Sequence, residues 1–132
     1  MKKLFKIFSL LLISGLLFTL TACVPSADKA KEKMEEAGYL SLDTNSFGIK
    51  NDKCENMFLF VLGDNVFDAG ANFLSGKAEY LVVLYFKDKA EAKAEFEKTL
   101  ENATENENND FVYARSGKCI YYGSAAAAKE FK

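Results

Sequence analysis

The sequence predicts an α+β domain, in which an N-terminal helix is followed by two hairpin–helix (ββα) units that form one antiparallel sheet with its helices on one face. Three observations favour this fold class. Residues 80–86 (YLVVLYF) are apolar throughout, which is typical of a central strand. Two short strand-like runs in 111–122 are separated by Ser116-Gly117, which indicates a hairpin with a two-residue loop. An amphipathic helical pattern follows each of these segments.

The N-terminal part of the domain begins with a helix. Apolar residues recur at spacings of three and four over 27–37, with Lys and Glu between them, and Gly38 follows as a C-terminal cap. Leu40 and Leu42 alternate with polar residues, which predicts a short, half-buried strand.

The middle of the chain carries two further apolar segments. Residues 57–62 (MFLFVL) favour a buried strand by their length, although periodicity alone also allows a short buried helix. Residues 71–74 and 79–86, with Ser-Gly-Lys between them, predict the first hairpin.

Two helices complete the predicted units. Asp88 and Glu91 resemble a capping box, and the apolar stripe that follows predicts a helix as far as Glu101. The acidic, asparagine-rich run 102–110 then predicts a loop. A last helix is predicted over 125–131. The shared order of the two units is compatible with an internal duplication, but chance similarity between short amphipathic helices is the favoured explanation.

The N-terminus has the pattern of an export signal. Lys2, Lys3 and Lys6 precede a run that is mostly apolar up to Leu20. The uncharged part is shorter than the roughly 20 residues that a membrane-spanning helix needs, which favours a cleaved signal over a transmembrane anchor.

The four residues Leu20-Thr21-Ala22-Cys23 resemble the lipobox of bacterial lipoproteins. The resemblance implies that Cys23 carries a diacylglyceryl thioether and that the chain is cut just before it. The remainder is similar in layout to small uncharacterised bacterial lipoproteins, which implies no particular activity. The expected organisation is a signal peptide (1–22), a lipidated tether (23–27) and a single α+β domain (28–132). The expected location is extracytoplasmic, with the lipid on Cys23 holding the protein to the bacterial cell membrane.

Composition excludes several function classes. The chain has 17 basic and 19 acidic residues, and loss of Lys2, Lys3 and Lys6 with the signal leaves a net charge of −5. This charge opposes binding to nucleic acid or anionic headgroups. Histidine is absent, so ordinary Ser-His-Asp and Cys-His arrangements and histidine metal ligands are absent too. No Cys-x-x-Cys pair and no glycine-rich phosphate loop is present, and no cofactor is predicted.

Residues 63–70 (GDNVFDAG) contain carboxylates four residues apart, a hint of a cation-binding loop. The spacing does not match that of an EF-hand, and the closing bidentate acid is missing. A turn with side-chain-to-backbone hydrogen bonds explains these residues, so no metal site is predicted.

Two sets of side chains remain as candidate functional groups. Cys54 and Cys119 could form one disulfide in an exported protein, or both could be buried free thiols. The tyrosines of the predicted strands could form a binding surface for a ligand or protein, or could be half-buried sheet residues. These are Tyr80, Tyr85, Tyr113, Tyr121 and Tyr122.

The favoured function is a lipid-anchored module that binds an envelope protein or a small ligand. The alternative is a carboxylate-dependent hydrolase of the cell envelope, which requires two acids that converge in a pocket. A third hypothesis is an inhibitor or immunity-type protein, whose acidic excess would fit a basic target.

Overall fold

The computed structural model describes residues 24–102 and 111–132. These residues form an α+β domain with four α-helices, one 3-10 helix and five strands. In chain order the elements are α1 (Ala27–Glu36), β1 (Tyr39–Leu42), the 3-10 helix (Thr44–Phe47), β2 (Cys54–Leu62), α2 (Val66–Leu74), β3 (Tyr80–Phe86), α3 (Lys89–Asn102), β4 (Phe111–Ser116), β5 (Cys119–Ser124) and α4 (Ala125–Phe131).

The five strands form one antiparallel sheet in the order β1-β2-β3-β5-β4. Strand β3 lies at the centre, as its apolar sequence predicts, and β1 and β4 are the edges. The pairing of β2 with β3 places Val61 opposite Tyr80, so residues 57–62 are a strand and not a short helix. The fold class predicted from the sequence is confirmed.

Helices cover both faces of this sheet, whereas the sequence predicted helices on one face. Helices α1 and α4 pack on one face, which we call the α1–α4 face, over a cluster that includes Phe60 and Leu81. Helices α2 and α3 pack on the other, the α2–α3 face, where α2 covers Val82 and α3 covers Ile120. Because β3 is apolar on both sides, each side needs a covering layer.

Residues 71–74 belong to helix α2, and their prediction as a strand is wrong. Asn65 is the N-cap of this helix, and its side-chain oxygen accepts a hydrogen bond from the Asp68 backbone N–H at 2.8 Å. The Asn65 side-chain amide donates in turn to the Asp68 carboxylate at 3.0 Å. This reciprocal cap starts the helix in a segment that looked like a turn. Strand β3 therefore pairs with β2 and not with residues 71–74.

The other predicted elements are confirmed, with ends shifted by at most three residues. The C-terminal hairpin β4–β5 is closed by Gly117-Lys118, one residue later than predicted, and Gly117 has φ 60°. A left-handed glycine at the first loop position is typical of the turns that join two-residue hairpins. Helix α4 follows β5 directly.

Candidate functional site

The five candidate tyrosines do not form a single surface. Tyr85 and Tyr121 lie on the α1–α4 face and are buried there. Tyr80, Tyr113 and Tyr122 are half-buried on the opposite face. The division follows from the pleat of the strands, since neighbouring residues such as Tyr121 and Tyr122 must point to opposite sides.

Tyr85 holds the start of the described chain. Its hydroxyl donates a hydrogen bond of 2.7 Å to the backbone carbonyl of Pro25. Cys119 belongs to the same buried cluster as Tyr85. Burial raises the pKa of Tyr85 well above its usual value, so the hydroxyl keeps its proton. Tyr85 thus fixes where the N-terminal segment enters the fold. This point lies near Phe86, the last residue of β3.

The three tyrosines of the α2–α3 face support the two helices that cover it. The Tyr80 ring meets Phe73 of α2 edge-on, at 5.1 Å between ring centroids. The Tyr113 ring stacks on Phe96 of α3 at 5.0 Å and lies 5.9 Å from Tyr122. Burial raises the pKa of each of these tyrosines. Their main role is therefore packing, with part of each ring left at the surface.

A shallow cleft of about 270 Å³ lies beside Tyr80 on this side of the molecule. Its lining consists of the segment 76–80, Phe111 and Ser124. The Ser124 hydroxyl accepts a hydrogen bond of 2.9 Å from the Tyr80 backbone N–H and so fixes the wall of the cleft. Glu79 and Lys77 supply opposite charges at its rim.

Helix α2 exposes a row of large apolar side chains. Phe67 is 84% exposed, Leu74 is 75% exposed and Val66 is 62% exposed. Phe67 and Leu74 are seven residues apart, about two helical turns, and therefore share one side of the helix. The opposite side of α2 packs on the sheet through Ala69 and Phe73. We call Val66, Phe67 and Leu74 the apolar row of α2.

The apolar row lies on a helix whose two ends are both fixed by hydrogen bonds, and not on a loose surface loop. The Asn65 cap fixes the start of α2, and a backbone hydrogen bond of 3.1 Å from Ser75 to Ala71 closes its end. Single exposed apolar residues are common on proteins, but several large ones on one short helix are typical of an interaction site. The sequence prediction missed this group, because it placed residues 63–70 in a turn and residues 71–74 in a strand. The Asn65-to-Asp68 spacing was the signal that could have revealed the helix.

The structure does not bring the two candidate disulfide cysteines together. Both are free thiols, Cys54 on β2 and Cys119 on β5, with β3 between these strands. Two strand spacings amount to about 10 Å, whereas the Cα atoms of a disulfide lie less than about 7 Å apart. An irregularity between Cys54 and Asn56 also turns Cys54 towards the α2–α3 face, while Cys119 lies on the other.

Neither thiol is poised for reaction. Burial raises the pKa of Cys54 to about 11 and the pKa of Cys119 to about 12. The nucleophile in thiol chemistry is the thiolate, which is scarce at neutral pH when the pKa is this high. Cys119 acts as a small member of the core, and the half-buried Cys54 packs against the core from the α2–α3 face.

The carboxylates do not build a catalytic or metal site in the parts of the chain that the structure describes. No charged or polar residue there is buried. No group of three His, Cys, Asp or Glu side chains in residues 24–102 and 111–132 could hold a metal ion. One of the two acids in 63–70 that suggested a cation loop, Asp68, instead accepts a hydrogen bond from the side-chain amide of Asn65, the N-cap of α2.

Some predicted features lie outside the described residues, namely the signal peptide (1–22), Cys23 and most of the loop 102–110. Among the helices that the structure does describe, none has the length and apolar character needed to cross a bilayer. A comparison of the chain with protein families, curated proteins and solved structures found no match.

Proposed function

We propose that this chain is a lipid-anchored, extracytoplasmic module that binds another protein through the apolar row of α2. The observation that carries the proposal is the exposure of Phe67 and Leu74 on one side of a well-capped helix. Burying such a side chain contributes about 1.5–3 kcal/mol, so two together supply the central anchors of an interface.

The shape of the surface favours a protein over a small ligand. Small-molecule sites are concave and enclose most of the ligand. The apolar row lies on the outer, convex side of a helix, and the neighbouring cleft is shallow and only about 270 Å³ in volume. A convex apolar helix face fits a groove or pocket on a partner protein.

The negative charge near the apolar row favours a partner whose binding site is bordered by basic residues. Asp64 and Asp68 are exposed at the start of α2, close to Val66 and Phe67. These carboxylates disfavour contact with an anionic bilayer and favour a protein surface with Lys or Arg around an apolar recess.

The position of α2 also favours an occupant other than the anchoring membrane. The N-terminal segment enters the fold beside Tyr85, at one end of β3 and on the α1–α4 face. Helix α2 connects β2 to the other end of β3 and lies on the opposite face. The seven residues of β3 span about 20 Å, so the apolar row is far from the point where the tether leaves.

The lipid anchor is tested by changing Cys23. Cells that express the full-length chain with Cys23→Ala are expected to incorporate no radioactive palmitate into it, and the protein should leave the membrane fraction. The Cys54→Ala variant is the control and should retain both label and membrane association. Equal labelling of the Cys23→Ala variant and the unaltered chain would refute the anchor.

The binding surface is tested with a photo-crosslinking amino acid at position 67. We expect it to crosslink to one discrete envelope protein, and Leu74→Ser should reduce the yield about thirtyfold, which corresponds to a loss of about 2 kcal/mol at an interface hot spot. Leu100→Ser, which alters an apolar side chain exposed on α3, is the matched control and should leave the yield unchanged.

A crosslinker at Lys98, on the exposed side of α3, shows whether capture depends on position. It should not capture the same protein. Equal crosslinking yields from positions 67 and 98 would contradict the proposed surface. So would a crosslinking yield from position 67 that Leu74→Ser leaves unchanged. Since Leu74 is largely exposed, we expect Leu74→Ser to change the free energy of unfolding by less than about 0.5 kcal/mol.

A further inference from the structure

Strand β4 is an edge of the sheet, and no other strand of residues 24–102 and 111–132 pairs with its outer side. It has six residues, Phe111–Ser116, and contains no proline. Its pairing with β5 is regular from end to end, with no bulge. The other edge, β1, has only four residues and runs into the 3-10 helix after Asp43. Natural sheets protect their edges with short strands, prolines, bulges or charges, and of these β4 has only Arg115.

The hairpin fixes which backbone groups of β4 point away from β5. A two-residue loop is closed by a hydrogen-bonded pair, here Ser116 and Cys119. Hydrogen-bonded pairs then alternate along the ladder, so Ala114 and Val112 bond to β5 as well. The N–H and C=O groups of the alternate residues point outwards. These residues are Phe111, Tyr113 and Arg115.

The outward groups have no backbone partner within residues 24–102 and 111–132. Any antiparallel strand offers backbone groups at the two-residue spacing of these outward groups. A second copy of β4 is one such strand, and it offers three sets of outward groups of its own.

We propose that two copies of this chain pair antiparallel along β4 and form one continuous ten-stranded sheet. The register that uses every outward group places Tyr113 opposite Tyr113 of the second copy. Phe111 then lies opposite Arg115, and Val112 lies opposite Ala114.

The side chains match in this register on both faces. On the α2–α3 face, Arg115, whose guanidinium donates a hydrogen bond of 2.8 Å to the Gly117 carbonyl of its own chain, lies opposite the Phe111 ring of the second copy. This arrangement suits a cation–π pair, and no like charges lie opposite each other. Phe111 is exposed in the single chain and becomes covered. On the α1–α4 face, Val112 and Ala114 extend the apolar cluster that they already border.

The symmetry of this pairing suits two chains anchored in one membrane, a step that depends on the lipid anchor of the proposed function. Antiparallel pairing of identical edges places the two-fold axis perpendicular to the sheet, so the α1–α4 faces of both copies lie on the same side. Val24 and Ala27 pack against that face, and the Tyr85 hydroxyl holds Pro25 there. Both tethers therefore leave on one side, and both apolar rows of α2 lie on the other.

A contact limited to one edge strand is small compared with the interfaces of stable dimers in solution. Anchoring confines both copies to a surface and raises their effective concentration. The pairing should therefore be measured in the membrane with the full-length chain.

The register predicts which cysteine substitutions crosslink. Val112→Cys and Ala114→Cys chains with different epitope tags are expressed in the same cells and oxidised in the membrane with copper phenanthroline. Residues 112 and 114 of opposite copies form a non-hydrogen-bonded pair, within disulfide distance. We expect a crosslinked dimer containing one of each tag, at least about tenfold above the yield from either variant alone, because 112–112 and 114–114 pairs are too far apart.

Two controls separate pairing through β4 from chance collisions. Ser41→Cys on the opposite edge strand, β1, should give no dimer with Ala114→Cys. Adding Arg115→Pro to both crosslinking chains removes an outward N–H and the side chain that faces Phe111 of the second copy, while the backbone hydrogen bonds to β5 stay, and it should lower the dimer yield about tenfold. Circular dichroism of each purified variant confirms that it is folded.

The remaining outcomes overturn the proposal. Crosslinking of Val112→Cys to itself would show a different register, and a product with a different mass would show that another polypeptide occupies the edge. Folded variants that give no dimer would show that β4 does not pair. Palmitate labelling reports the anchor separately, so a dimer without label refutes only the anchor, and label without a dimer refutes only the pairing.

Discussion

Replacing Gly123 with alanine is expected to lower the free energy of unfolding by about 4 kcal/mol, through steric overlap and backbone strain together. Gly123 lies in β5 opposite Leu81 of the central strand and has φ 148°, a conformation that side chains strongly disfavour. An added Cβ would overlap the backbone carbonyl oxygen of Tyr80 and come within 2.9 Å of the Leu81 Cα. These are backbone atoms of β3, which is paired with β2 on one side and β5 on the other. The strand therefore cannot move away without disturbing its hydrogen bonds.

The effect is measured by urea denaturation followed by circular dichroism, since the chain has no tryptophan to report on unfolding by fluorescence. Gly117→Ala is the matched control, because Gly117 also has positive φ but an added Cβ would meet nothing within 4 Å. Gly117→Ala should lower the free energy of unfolding by only about 1 kcal/mol, because alanine is less stable than glycine in a left-handed conformation. If Gly123→Ala and Gly117→Ala lowered the free energy of unfolding by similar amounts, the close approach of β5 to β3 would be contradicted.

Replacing Phe60 with alanine is expected to cost about 3–5 kcal/mol, the range found when a buried phenylalanine is truncated. Phe60 is fully buried in the cluster between the sheet and helices α1 and α4. Its ring stacks on Phe58 at 5.3 Å between centroids. Close-packed neighbours cannot fill the space that the ring would leave, so both transfer and cavity contributions are lost.

Phe67→Ala makes the same chemical change at an exposed position and is the control for Phe60→Ala. Since Phe67 is largely exposed, we expect its truncation to change the free energy of unfolding by less than about 0.5 kcal/mol. Equal losses in the two variants would show that Phe67 is covered in the free protein, and would count against the docking surface on α2.

Much of the fold could be predicted because its signals are local. Strand β3 has an unbroken apolar run, and α1 and α3 have apolar residues at helical spacing. The strand that pairs with β3 could not be predicted from local signals, since strand pairing depends on contacts between residues distant in sequence. The run 71–74 resembled a strand beside β3, but the Asn65 cap upstream continues α2 through it.

The candidate site was predicted less well than the fold. The strand pleat already requires Tyr121 and Tyr122 to point to opposite faces, so a single surface containing both was incompatible with the predicted strand. The apolar row of α2 could be recognised only after residues 66–74 were known to be helical, because helical spacing brings Phe67 and Leu74 together. The irregularity between Cys54 and Asn56 has no signature in the sequence, yet it decides which face Cys54 occupies.

Because Cys54 and Cys119 lie on opposite sides of the sheet as free thiols, no disulfide links the elements formed by residues 24–102 and 111–132. Their stability comes from packing in the two apolar layers, which is insensitive to the redox potential of the surroundings. The fold of residues 24–102 and 111–132 therefore does not depend on a bond between Cys54 and Cys119.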